Sequence, residues 1–129
     1  MLFFPANELT TKQNYKFLTG SIIPRPIAWI TTRNEETGVV NAAPFSYFNV
    51  VAKDLPLVSL SINRKSAEMK DTAANLLQQK EGVIHIVNDE LLHEMNQSAA
   101  SLPSTESELT GTNLALIDSQ AVSVPAIKA

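Results

Sequence analysis

Apolar and polar positions alternate along this chain in short runs, with few long helical stripes. Residues 27–32, Ile-Ala-Trp-Ile-Thr-Thr, are rich in β-formers and predict a strand. The polar stretch RNEETG at 33–38 ends in Gly38 and reads as a turn, and Val39 to Phe45 returns from it, so 27–45 predicts a hairpin. LVSLSI at 57–62 alternates apolar and hydroxyl residues behind Pro56, a tolerated place for proline at a strand entrance. VIHIV at 83–87 predicts a further strand.

Helical spacing recurs in three places. Residues 10–20 have Thr10 or Thr11 as N-cap, Tyr15 and Leu18 on one face, and Gly20 to close. Residues 72–80 follow Asp71 as a cap, with Ala74 and Leu77 on one side. Residues 89–100 follow Asn88 or Asp89, and Leu91, Leu92, Met95 and Ala99 make the buried stripe. Beyond Ser101 the pattern breaks into short pieces around Pro103, and 119–124 looks like the approach to another strand. The order β-β-β-α-β-α predicts a small barrel or an α+β sheet ahead of alternating βαβ units.

One stretch does not fit an ordinary strand. In NAAPFSYF, residues 41–48, Pro44 lacks the backbone donor a central strand needs, and Ala42, Ala43 and Ser46 are crowded against Phe45, Tyr47 and Phe48. The expectation is that the strand leaves its ladder at Pro44 and that something other than a neighbouring strand lies along that backbone.

The 129 residues suit one domain, and a composition 44% hydrophobic and 18% charged is that of a globular protein. A net charge of −3 argues against a nucleic-acid or anionic-membrane binder, including a small barrel for single strands. With no cysteine, thiol catalysis, disulfides and thiolate metal sites are excluded. MLFFPANEL lacks the basic n-region of a signal peptide, and no apolar run approaches the roughly 20 residues of a membrane span. A cytoplasmic location is expected.

Side-chain chemistry is sparse. His85 lies in an alternating strand and His93 opposite the apolar stripe of its helix, so both read as structural or solvated rather than as a metal pair. The acidic residues at 35–36, 89–90 and 106–108 fall in turns and near helix starts. With four glycines and no nucleophile elbow, there is neither a phosphate loop nor a hydrolase motif. Arg64, Lys65 and Lys70 precede a helix start at Asp71-Thr72, where free N–H groups favour an anion, and Thr72 and Ser46 offer hydroxyl donors. On spacing alone the same residues read first as a solvated turn before a capped helix, ahead of an anion site. Trp29, Thr31, Asn41, Ala43 and Ser46 suit a flat conjugated ring lying on backbone edges, and suit an ordinary core as well.

Three stretches taken together resemble the flavin reductase-like family of FMN-binding split barrels, which includes flavoredoxins and the reductase components of two-component monooxygenases. They are PRPIAWITT at 24–32, NAAPFSYFNVVAKDLPLVSLSI at 41–62, and Arg64 with KDTAAN at 70–75; STESEL at 104–109, with Glu106 and Glu108 after Pro103, adds to the likeness. The resemblance implies a mainly β fold, a split β-barrel of Greek-key topology with appended short helices, in a single domain over 1–129. Because family members continue with further strands, that domain is expected to be incomplete at its C-terminus. It also implies a homodimer, non-covalent FMN, NAD(P)H as reductant and a partner monooxygenase. Carried over by position, Trp29, Ile30, Thr31 and Thr32 with Asn41, Ala42, Ala43, Pro44 and Ser46 would face the isoalloxazine and ribityl chain. Ser46, Arg64, Lys70 and Thr72 would be the phosphate shell, and Asp71 would stand among the cofactor-binding residues. In such a protein the flavin carries the redox chemistry and no catalytic side chain is required. The alternative is a non-catalytic FMN-binding or cofactor-free barrel.

Overall fold

The computed structural model describes residues 1–128; Ala129, where the expected domain ends, lies outside the described residues. The chain opens with a 3-10 turn at Ala6–Glu8 and a helix, α1 (Thr11–Ser21). Thr10 is the N-cap: its hydroxyl accepts from Gln13 N–H while the Gln13 side chain accepts from Thr10 N–H, a reciprocal capping box. Gly20 lies inside the helix, and Ile22 is the C-cap.

The central sheet has the order β2-β1-β5, built from β1 (Ala28–Arg33), β2 (Val40–Phe45) and β5 (Val83–His85), all antiparallel. The expected hairpin is present, with register Ala28↔Phe45 through Arg33↔Val40. Its turn is held by Asn34, whose side-chain oxygen accepts from Glu36 and Thr37 N–H, and Gly38 adopts φ 72°. Pro44 does not end the ladder: it pairs with Trp29, and pairing runs on to Phe45. The proline is accommodated because β2 is an edge strand of this sheet.

A second hairpin joins β3 (Phe48–Ala52) to β4 (Leu57–Leu60), with a register shift between Val50 and Ala52. The β3 strand escapes a sequence reading because FNVVA follows an irregular stretch and exposes Val50 and Val51. A short pair, β6 (Leu116–Ile117) with β7 (Ala126–Ile127), places the last strand just beyond the expected 119–124. Seven strands and a few short helices thus form three separate sheets among the described residues.

Two helices differ from expectation. In α2 (Asp71–Gln79), Lys70 is the N-cap and Asp71 the first helical residue. The face turned inward carries Thr72 and Asn75, whereas Leu77 is exposed, because α2 docks on β1 by hydrogen bonding as well as by packing. Asn75 Nδ2 donates to Thr32 Oγ1 at 3.1 Å between two buried side chains. The region expected as one helix over 89–100 is a 3-10 turn, Asp89–Leu91, followed by α3 (Leu92–Gln97). Asn88 caps it by accepting from Leu91 N–H, and only Met95 of the expected stripe is fully buried, with Leu91 half-buried and Leu92 and Ala99 exposed.

The core gathers Trp29, Ala42, Met95 and Ile127, with Ile27, Val87, Leu91, Leu109 and Leu114 around it. Trp29 has no exposed surface, and its indole N–H donates to Ser98 Oγ at 2.9 Å, satisfying the one polar atom the ring brings inside. No helix is long and apolar enough to cross a membrane among the described residues.

Candidate flavin site

An open cavity of about 610 Å³ lies where the end of β2 meets the start of α2. Ala43, Pro44 and Phe45 of β2 line it, as do Lys70, Asp71 and Thr72 at the start of α2. The turn at 65–69 and the segment 98–104 after α3 complete the lining, together with Glu108. The small side chains of β2 leave its backbone edge open to the cavity, where a larger residue would fill it.

The α2 wall is suited to an anion. The first N–H groups of a helix have no intrahelical partner, and the Lys70 side chain makes no capping bond to them. Lys70 Nζ sits 5.4 Å from the centroid of the Phe45 ring, a cation–π contact that ties the ammonium to the β2 side of the cavity. Lys65 and Glu68 pair their backbones across a two-residue turn, in which Ser66 and Ala67 take φ 49° and 70°. That left-handed geometry strains non-glycine residues, and it turns Lys65 and Ser66 into the cavity lining.

Behind the β2 wall lies a buried polar network. Asn41 Nδ2 donates to Glu108 Oε2 at 3.0 Å, and Ala42 N–H donates to the same oxygen at 3.3 Å. Ser107 Oγ donates to the Val40 carbonyl. Asn41 Oδ1 is buried with no partner among the described residues. Burial is the main influence on Glu108 and pushes its carboxyl above the ordinary value; the hydrogen bonds oppose this and the nearby Asp71 charge adds to it. In the sequence Glu108 stands out only as part of a family-like acidic run. Its contact with β2 spans 66 residues of chain and has no local signal.

Of the residues singled out in the sequence, Ala43, Pro44, Lys70, Asp71 and Thr72 come together around the cavity. Trp29, Ile30 and Thr31 of the central strand are paired on both sides and Thr32 with β2 alone, and all four are buried behind the lining. Thr31 Oγ1 donates to the Pro125 carbonyl at 2.8 Å, and Thr32 receives Asn75. Asn41 and Ala42 are buried next to Glu108. Ser46 Oγ accepts from Arg25 Nε at 3.4 Å, and Arg25 also donates to the Thr19 and Ile22 carbonyls, so Ser46 anchors the end of α1. Arg64 donates to the Ala67 carbonyl at 3.3 Å, bracing the strained turn from outside the lining. Lys65, grouped in the sequence with the cations that favour an anion, also lines the cavity, whereas Ser66 and the 98–104 segment have no signal of that role, because a turn serine and a Ser/Ala-rich stretch are common anywhere.

Similarity to known proteins supplies what geometry alone does not. Residues 19–129 match the model of the flavin reductase like domain. The chain is 49% identical over 128 residues to the uncharacterized protein YwrF of Bacillus subtilis, covering 99% of this chain and 62% of that protein. Nitrilotriacetate monooxygenase component B from Bacillus cereus superposes with a TM-score of 0.94 at 48% identity, over 99% of this chain and 63% of that one. The 2-nitrobenzoate 2-nitroreductase NbaA of Pseudomonas fluorescens superposes with a TM-score of 0.86 at 32% identity, over 98% of this chain and 59% of that one. A protein with a split barrel domain from Shewanella frigidimarina shares the fold with a TM-score of 0.79 at 21% identity. This chain thus spans about three fifths of the length of the first relatives it matches. Over that span it belongs to the flavin reductase-like family and has the split-barrel fold of its neighbours.

Proposed function

We propose that this chain is the flavin-binding part of an oxidoreductase that passes electrons from NAD(P)H to flavin, with FMN as its nucleotide. The observation that carries this reading is the cavity in which an uncapped helix start and Lys70 face the small-residue edge of β2. These residues fit a flavin nucleotide. The N–H groups at the start of α2, the Thr72 hydroxyl and the Lys70 ammonium suit a phosphate. Ala43 and Pro44 allow a flat ring system to approach the backbone.

Bound there, the flavin would supply hydride acceptance and electron release. The chain's own residues bind and orient. Lys70 and the α2 start hold the charged end, with Arg64 outside them bracing the turn. Ala43 and Pro44 define the wall, Trp29, Ile30, Thr31 and Thr32 of β1 support β2 from behind, and Asn41 and Ala42 within β2 are held by Glu108. Ser46 fixes the end of that wall through Arg25. Family membership and likeness to a monooxygenase component B support service to a partner monooxygenase. In this reading the protein works as a cytoplasmic homodimer. The exposed apolar residues Val50, Val51, Leu57 and Val58 of the β3–β4 hairpin are consistent with cover by a second copy.

Titration of the purified chain with FMN, followed by quenching of flavin fluorescence, tests the binding, and light scattering tests the dimer. Saturable micromolar binding together with FMN-dependent NAD(P)H oxidation is expected. Binding without oxidation would instead identify a non-catalytic flavin-holding barrel, and no binding would overturn the reading.

A further inference from the structure

We propose that Glu108 joins the ligand shell of this cavity as a proton donor, its free oxygen hydrogen-bonding the phosphate of the bound flavin nucleotide, so that binding takes up one proton. The inference rests on the reading of the cavity as a flavin nucleotide site and adds a binding residue to it.

The geometry divides the carboxyl group in two. Oε2 takes both donors of β2, from Asn41 Nδ2 and Ala42 N, which fixes the group against the strand. The residue's own backbone N–H also bonds the carboxyl, but the bonds from other residues all fall on Oε2, and Glu108 lines the cavity that α2 opens into. One oxygen is therefore structural, and the other is left for whatever occupies the cavity.

Charge then decides the protonation state that a phosphate would require. The ionisable residues lining the cavity are Lys65 and Glu68 from the turn, Lys70 and Asp71 from α2, and Glu108; the 98–104 segment contributes none. Two lysines against three carboxylates leave an excess of negative charge exactly opposed to anion binding unless one acid is neutral. Glu68 is exposed and Asp71 is only half-buried. Glu108 is the acid whose desolvation already raises its proton affinity, with Asp71 adding to it. A phosphate dianion arriving beside it strengthens that tendency. The neutral acid removes a repulsion and converts Oε1 from an acceptor, which a phosphate cannot use, into an O–H donor, which it can.

The sign follows. Where binding requires Glu108 to be protonated, affinity is full at low pH and falls by about tenfold per pH unit once the free carboxyl is ionised. Glu108→Gln keeps an oxygen for Asn41 and Ala42 and presents an NH₂ donor to the cavity at every pH.

The test is FMN affinity from pH 5 to 8 for the wild type and Glu108→Gln in the same buffers. The ionisation of the phosphate itself, at about pH 6 for a monoester, is common to both proteins and cancels in the ratio. The expected result is similar affinity at pH 5 and a growing advantage of the Gln variant toward pH 8. A constant ratio would overturn the role of Glu108 while leaving the flavin site standing. Absence of FMN binding by both proteins at every pH would overturn the site and the inference together. Calorimetry of the wild type near pH 7, in two buffers of different ionisation enthalpy, reads the proton directly and does not depend on the variant folding. Net uptake is expected, and a heat independent of the buffer would overturn the inference.

Discussion

His85 Nε2 accepts from Ile127 N–H at 2.9 Å, and this fixes the tautomer: Nδ1 carries the proton and donates to the Trp29 carbonyl at 3.0 Å. One neutral imidazole thus bridges β1 and β7. Replacing it with alanine leaves both backbone groups without their partner. His85→Ala is expected to cost about 1–3 kcal/mol in urea denaturation. Hydrogen exchange at Ile127 should rise well before that of β1, and unchanged protection at Ile127 would show that the bridge does not hold the last strand.

Gly82 is a place where the fold leaves no room. A Cβ there would lie 3.0 Å from Leu76 Cδ2, 3.2 Å from Ile30 Cδ1 and 3.2 Å from the Thr31 carbonyl oxygen. The backbone oxygen cannot swing aside as a side chain can. Gly82→Ala should therefore destabilise by about 1–3 kcal/mol through overpacking between α2 and the sheet. A melting temperature equal to the wild type would mean that the helix moves away without cost.

Lys70 and Arg64 stand on opposite sides of the cavity boundary. Lys70 lines it, while Arg64 braces the turn from outside through the Ala67 carbonyl. If the cavity holds a phosphate, Lys70→Ala removes a charge-assisted contact, which corresponds to a weakening of FMN binding by about tenfold or more. Arg64→Ala should change it by only about twofold. Equal losses in a fluorescence titration would shift the phosphate toward Arg64.

Glu81 contributes an acid-sensitive contact. Its carboxylate accepts from Ser123 Oγ at 2.7 Å and Ser123 N–H at 2.9 Å, and these bonds hold its pKa below the ordinary value. For a carboxyl depressed in the folded state, the stabilisation is present above the unfolded value and is lost as pH falls through the folded one. Thermal unfolding followed from pH 6 downward should lose stability below about pH 4.5, and Glu81→Gln should flatten that part of the profile. Parallel profiles for the two proteins would remove Glu81 from the acid response.

Much of the fold was legible because it is local. The Thr10 cap, the 27–45 hairpin with its Gly38 turn, and the start of α2 follow from short-range hydrogen bonding and backbone preference, which the residue order states directly. Missed features were set by contacts between distant residues. FNVVA becomes a strand only because β4 lies beside it, and α2 turns Thr72 and Asn75 inward because Thr32 offers Asn75 a buried partner.

The candidate site divides in the same way. The sequence by itself determined which residues could meet an anion and a flat ring, since charge, hydroxyl groups and small side chains are written in 41–48 and 64–72. It could not say which of them share a cavity. Tertiary structure decided that Pro44 stays in the ladder, because an edge strand tolerates its missing donor. It also set Trp29 and the threonines behind the wall, satisfied by partners as far away as Ser98 and Pro125. Glu108 reaches β2 by the same principle: a buried polar group must find a partner in space, and nothing in residue order says where that partner will be.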